Sequence, residues 1–347
     1  MTAPIPGTRS VRTSTLPITA AGALTEQTKG DREPQGSLHS SMKITGIGSA
    51  CLDRIHQLEA WPKEDGSTHI LSTITQGGGA AATAIVTARR LGQKAAMIAA
   101  IGTDEAGAEI RRGLEQEGVD TSCLQIYEGT SPHSEIMVSP DGSRTKFVQN
   151  NTLPSIDWNE TCRNMICTSD AIHLDGTRYD NAFAAAKIAQ EAGVLISLDG
   201  CHMQEDHQKD IRLACMADVL IMNARYPMMT TGLSMEEALL FYARHCKVVI
   251  TTHGADGCYA VMDGRVVHFP AFQVQAADTT GCGDVFHGAF LAAYLEHQPL
   301  EDCIAFAEAA AALKSLKPGG RTGIPNRRAV QEFIKNHSDP WILQKND

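Results

Sequence analysis

From Ile44 onward, short apolar segments that read as strands alternate with stretches of helical periodicity, and this alternation constrains the fold more than any other feature of the chain. ITGIGSA reads as a strand, GGAAATAIVTARRLG as a helix, AAMIAAIG as a strand, and residues 104–117 as a helix. The later strands DAIHLD, VLISLD, ADVLIMN and KVVITT all end in polar residues, with helices expected near 181–192, 205–216 and 235–245. Strand–helix alternation of this length predicts an α/β protein, a doubly wound and mostly parallel sheet flanked by helices. Its ligand site belongs at the carboxyl ends of the strands.

One region breaks the alternation. HILSTIT, at 69–75, and HSEIMVSPDGSRTKFVQ, at 133–149, read as extended strands with no helix between them, and Asp141-Gly142 is a hairpin turn signal. These strands predict a small β-sheet lid over the site, drawn from about 53–76 and 133–149 within a domain spanning 42–338. Residues 1–41 are rich in Thr, Ser, Pro, Gly and Ala without apolar periodicity and are expected to be a disordered extension; 339–347 form a tail. Residues up to Leu24 carry Arg9 and Arg12 and no acid, which also fits an organelle transit peptide; the plainer reading is a tail or a start-site artefact ahead of Met42.

Composition narrows the function. With 347 residues, 43% of them hydrophobic, the chain can bury one large core or two ordinary ones. A net charge of −10 and the lack of a basic stripe argue against nucleic acid, and no apolar run reaches membrane-spanning length. Ten cysteines without CxxC pairs and thirteen histidines without HExxH read as free thiols and ordinary histidines in a reducing cytoplasm.

Chemistry concentrates in DTTGCGDVFHGAF, from Asp278 to Phe290. Gly281 and Gly283 let backbone N–H groups approach an anion at the start of an apolar helix. Asp284 beside them, expected to be ionised at neutral pH, can accept a hydroxyl proton. The plain alternative is a capped tight turn before a core helix. GIGSAC fails the dinucleotide fingerprint because Cys51 takes the third glycine's place, and no Walker A loop occurs. Asp53 follows the first strand, where a carboxylate can accept hydrogen bonds from vicinal sugar hydroxyls.

DTTGCGD followed by a small-residue helix resembles the second signature of the PfkB family of ribokinase-like sugar kinases, with Cys282 in place of the usual alanine. Gly78-Gly79, the helix ending at Leu91-Gly92 and the strand ending at Gly102 match the first signature. The resemblance covers Ile44 to about Phe333 and implies an ATP-dependent carbohydrate kinase using Mg²⁺ and a monovalent cation such as K⁺. It implies Asp284 as catalytic base, with the N–H groups of Gly281, Cys282 and Gly283 around the transferring phosphoryl group. Asp53, Gly78, Gly79 and Thr83 fall on the sugar side, although Thr83 and Cys51 stand where relatives have asparagine. Thr252, Gly254 and Gly257 fall on the nucleotide loop, with Asn223, Thr280, Gly319 and Gly320 also on the nucleotide side. Tyr226 replaces the glutamate of the NxxE element begun by Asn223, which leaves Asp199 as an alternative for ordering magnesium through water. Asp278 and Thr280 match positions around the monovalent cation. Family lids pair edge to edge, which implies a homodimer.

Within the family, GGGAAATA, LDRI, DVFHG and PGGRTGIP most resemble the 6-deoxy-6-sulfofructose kinases, but Ser67 and Thr177, the latter beside Arg178, replace the sulfonate-binding lysine and arginine. The acceptor is therefore expected to be a small sugar, a ketose or modified ketose such as sulfofructose. A nucleoside kinase of the same fold and a non-catalytic sugar or nucleotide sensor are the alternatives. Cys282, a thiol at a helix N-terminus, is expected to have a lowered pKa and to react rapidly with maleimide unless buried and inert.

Overall fold

The computed structural model describes residues 41–149 and 152–337. The expected N-terminal extension and C-terminal tail lie outside the described residues, Ser41 aside. The elements run β1 (Lys43–Ile47), β2 (Cys51–Leu58), β3 (Ile70–Gly78), α1 (Ala80–Arg90), β4 (Lys94–Gly102), α2 (Glu105–Gln116), β5 (Asp120–Tyr127), β6 (His133–Val138) and β7 (Arg144–Val148). They continue α3 (Glu160–Cys167), β8 (Ala171–Leu174), α4 (Tyr179–Ala192), β9 (Leu195–Gly200), α5 (His207–Ala214), β10 (Val219–Asn223), α6 (Tyr226–Thr231), α7 (Met235–Tyr242) and β11 (Val248–Thr252). Last come β12 (Cys258–Met262), β13 (Arg265–Phe269), α8 (Cys282–Tyr294), α9 (Leu300–Ser315) and α10 (Arg327–Asn336).

Among the described residues the main sheet has nine strands in the order β13-β12-β11-β10-β9-β8-β1-β4-β5. All neighbours from β11 to β5 are parallel, and β12 and β13 add an antiparallel edge. Inside the β5 edge, both faces of the parallel part are buried, so its strands read as continuous apolar runs rather than alternating ones. In β10, Val219 and Ile221 pack with α1, α8 and α9 on one face, while Leu220 and Met222 enter the core on the other. No described helix is long and apolar enough to cross a membrane.

The second sheet, in the order β3-β2-β6-β7, is built from the strands expected to form the lid. The β6–β7 hairpin turns at Asp141-Gly142 as expected, with Gly142 at φ 82° and the Ser143 N–H donating to Asp141 Oδ1 at 2.9 Å. Periodicity singled out no element at β5, β12, β13, α3, α6 or α10. Mixed polarity explains β5, an edge strand whose residues are only partly covered. The β12–β13 turn at Asp263-Gly264 has both residues at positive φ, 48° and 74°, the backbone that joins twisted strands tightly.

Helices α1 and α8 pack at backbone contact because Gly288 has no side chain; a Cβ there would fall onto the Ala84 carbonyl oxygen and lie 2.8 Å from Thr87 Cβ. Gly288→Val is expected to cost at least roughly 2 kcal/mol in urea unfolding. Gly113→Ala, in α2 with open space around the new methyl, is expected to stabilise by roughly 0.5–1 kcal/mol in the same assay. Equal midpoints for the two variants would contradict this account of the α1–α8 contact.

Candidate active site

The chain runs from β1 outward to β4 and β5 on one side and to β8, β9, β10 and β11 on the other, so the strand order reverses between β1 and β8. A crevice opens at such a point because the loops after the two strands diverge. Asp175, just past β8 and fully buried, ties those loops together. Its Oδ2 accepts from Ser49 N–H at 2.7 Å, Ser49 O–H at 2.6 Å and Ala81 N–H at 3.3 Å, and its Oδ1 from Thr177 N–H at 3.0 Å. These donors offset the cost of burying the carboxylate and fix the entry to α1.

A cavity of about 440 Å³ opens there, and its wall includes Asp53, Gly78, Gly79, Thr83, Gly281 and Asp284. The structure thus brings the expected sugar-side residues and the expected base to one cavity. Asp53 is 5% exposed on β2 and lies against Gly78, where a Cβ would sit 2.7 Å from the Asp53 carboxyl carbon. Gly79, at φ 91°, begins α1. Thr83 is buried, and its hydroxyl accepts from Arg321 Nε at 3.2 Å, so it is already engaged by protein. Arg321 also donates to the Gly78 carbonyl at 2.8 Å. The sequence reading missed Asp175, Arg321 and Lys146, whose Nζ lies 3.9 Å from Asp53 Oδ1 across the lid. Each reads as an ordinary polar residue until the fold assembles it.

The turn before α8 divides this cavity from a second one of about 300 Å³. Thr280, Gly281 and Asp284 face the first; Thr279, Cys282 and Gly283 face the second, together with Thr252, Gly254 and Gly257. Gly281 adopts φ 77°, and a Cβ there would be 2.8 Å from the Gly320 carbonyl. Space is open beside Gly283. The N–H groups of Gly281, Gly283 and Asp284 have no protein acceptor among the described residues, so they can donate to an anion. Cys282 corrects the sequence reading twice. Its N–H is spent on the Thr279 carbonyl at 3.2 Å, and burial pushes its thiol pKa up rather than down, with Lys314 offsetting part of the effect. Gly319 and Gly320 also differ from expectation: they back the turn and face the lid side, and the second cavity is closed instead by Glu308, Ala311, Ala312 and Ser315.

Asp284 is partly covered in the cavity wall. Burial, then the nearby charge of Asp199, pushes its pKa up to about 6, with His287 opposing. The low value expected from a helix N-terminus is overridden. Asp199 is buried and 3.2 Å from His287 Nε2; burial would raise its pKa, but the charge and hydrogen bond of His287 outweigh that and hold it down.

The residues expected to order magnesium do not fit that task. Asn223 Oδ1 accepts from Arg225 and Tyr226 N–H groups at 3.0 Å each, which engages it in the turn that leads into α6. Tyr226 is buried, Asp199 is spent on His287, and the described residues contain no cluster of three His, Cys, Asp or Glu suited to a metal. A free monovalent cation does not fit either. Asp278 Oδ1 accepts from Thr280 N–H at 2.8 Å, Thr280 O–H at 2.7 Å and Arg144 at 2.7 Å. Its Oδ2 accepts from Gly319 N–H at 2.7 Å, and its carbonyl from Lys314 Nζ at 2.9 Å.

Comparison with known proteins fits this architecture. Residues 42–327 match the family described as pfkB family carbohydrate kinase. The ATP-dependent ribose-1-phosphate kinase of Halopiger xanaduensis is 31% identical over 300 residues, 86% of this chain and 100% of that protein. The ribokinase of Haemophilus influenzae is 28% identical over 271 residues, 75% of this chain and 87% of that one. Arabidopsis thaliana ribokinase, solved with ribose and ATP, has the same fold at a TM-score of 0.75 and 23% identity, covering 85% of this chain and 99% of that structure.

Proposed function

The chain belongs to the pfkB family of carbohydrate kinases and is an ATP-dependent kinase; from that premise we propose that its acceptor is a small sugar already carrying one anionic group. A pentose phosphate, as in the name of the Halopiger relative, is the first candidate. One observation carries the reading: Lys146, Arg178, His133 and His202 line the same cavity as Asp53 and Asp284. A buried carboxylate suits hydroxyls, whereas the Lys146 and Arg178 cations at the same cavity suit a phosphate or sulfonate, to which the histidines can donate. Sulfofructose has the same charge character, with Lys146 and Arg178 taking the place of the cations absent at Ser67 and Thr177. A nucleoside is less suited, because His133 and His202 are the only aromatic rings in this lining among the described residues.

In the proposed reaction the acceptor hydroxyl gives its proton to Asp284 as its oxygen bonds to the γ-phosphorus and the bond to ADP breaks. The N–H groups of Gly281 and Gly283 steady the charge on the phosphoryl oxygens. A divalent cation carried by ATP would supply charge neutralisation on the phosphates. Asp53 orients the sugar, and the lid, tied to the phosphate turn by the Arg144–Asp278 ion pair, excludes water. Thr252, Gly254 and Gly257 line the nucleotide side. Ten free thiols support a reducing cytoplasm as the place of action.

We further infer a homodimer through the lids. Strand register puts Ile74 and Val148, 41% and 65% exposed, on one lid face with Ile55 and Ile136. Sedimentation velocity should read a dimer for the wild type and a monomer for Ile74→Glu; a monomeric wild type removes this inference.

Asp284→Asn should lower kcat by at least about 10²-fold while ATP still binds. Because the base form is required and its pKa is raised, the wild-type rate should fall as pH drops through about 6 and level off above it. A profile flat from pH 5 to 8 would take Asp284 out of the proton transfer. ADP release over ribose, ribose-1-phosphate, fructose, sulfofructose and adenosine tests the acceptor. Lys146→Ala should raise KM for the anionic sugar by about tenfold and leave neutral sugars nearly unchanged. A uniform effect on both, or preference for adenosine, would sink the anionic-sugar reading.

A further inference from the structure

Lys314 is a lysine with no solvent exposure, near the end of the alanine-rich α9. A buried ammonium ion is costly unless fixed acceptors face it. The one it meets is functional: its Nζ donates to the carbonyl oxygen of Asp278 at 2.9 Å, at the root of the phosphate turn. The same end of α9 holds that turn by its backbone, since the Ser315 carbonyl accepts from Ala277 and Asp278 N–H groups at 2.8 and 3.0 Å. Burial weakens the hold of Lys314 on its proton, and the carboxylates of Asp278 and Asp284 are among the groups that oppose this.

The resemblance implied a mobile monovalent cation around Asp278 and Thr280, and the donor set does not fit one. Both Asp278 carboxylate oxygens are taken by Thr280, Gly319 and Arg144, and the carbonyl by Lys314. A diffusible cation there would also face the fixed positive charges of Arg144 and Lys314. We propose that the Lys314 ammonium group is the protein's built-in monovalent cation, a positioning residue that holds the Asp278 carbonyl and puts one positive charge behind the phosphate turn. An ammonium is a compact point charge that donates where an alkali ion would coordinate, and tethering it to α9 makes the site independent of K⁺ concentration. The proposal rests on reading the turn at 279–284 as the ATP phosphate site.

The test is ATP affinity, by calorimetry without sugar, in potassium chloride and in tetramethylammonium chloride at equal ionic strength. Wild-type affinity should agree within about twofold between the two salts. Lys314→Ala should bind ATP about tenfold more weakly in tetramethylammonium and recover most of that loss in potassium or ammonium. Lys314→Met, which keeps the bulk without the charge, should be weakened in every salt and serves if the alanine variant does not fold. Wild-type affinity that rises about tenfold with potassium, or wild-type affinity in Lys314→Met, overturns the role of Lys314. Because no sugar is present, the acceptor assignment can fail while these results stand. Wild type that binds no ATP would instead overturn the phosphate site along with the proposal.

Discussion

Asp278 holds the turn on which the site is built. Its carboxylate accepts from Thr280 twice, from Gly319 and from Arg144, and its carbonyl from Lys314, so five donors from four parts of the chain converge on one residue. Beside it, Gly281 holds a left-handed backbone at the start of α8, and the N–H groups of Gly281, Gly283 and Asp284 have no protein acceptor among the described residues. The Arg144 contact extends the constraint to the lid. The second sheet and the turn before α8 therefore share one ion pair.

Three acids, Asp175, Asp199 and Asp284, crowd the region where the strand order reverses, and each is handled differently. Asp175 is held by backbone and hydroxyl donors, Asp199 is paired with His287, and Asp284 is left facing the cavity. The result is a carboxylate with raised proton affinity. A rise from 3.8 to about 6 corresponds to on the order of 3 kcal/mol, before screening by solvent in the cavity. A helix N-terminus typically supplies roughly 0.3–1 kcal/mol in the opposite direction, so burial and the neighbouring charge win. A base poised near neutrality accepts a hydroxyl proton more readily than one with an ordinary aspartate pKa.

Much of this was legible in the residues. The parallel strands stood out because burial on both faces leaves uninterrupted apolar runs such as VLIM, and α4, α5 and α7 fell within three residues of their expected ends. Asp53, Gly78, Gly79 and Asp284, which line one cavity, stood out only because their local glycine and acid signals fall within motifs that resemble the family's signatures. Asn223 was not decidable from sequence, since an asparagine at a strand end can hold the turn that follows it or approach a ligand, and its two N–H partners appear only in the fold. Cys282 was misread for a related reason: its place at a helix start is visible in sequence, but its burial is not. Lys314 gave no signal, because a lysine in an alanine-rich helix ordinarily faces water.

The residues by themselves determined the alternation of strand and helix, hence the parallel sheet, the end of it where a ligand binds, and the glycine turn leading to an acid. Those are consequences of backbone stereochemistry and periodicity, which act between neighbours in the chain. Tertiary structure alone decided which charges meet: Lys314 against Asp278 across 36 residues, Arg144 against Asp278 across 134, and His287 against Asp199. Electrostatic energy depends on distance through space and on burial, and neither is written in the spacing of residues along the chain.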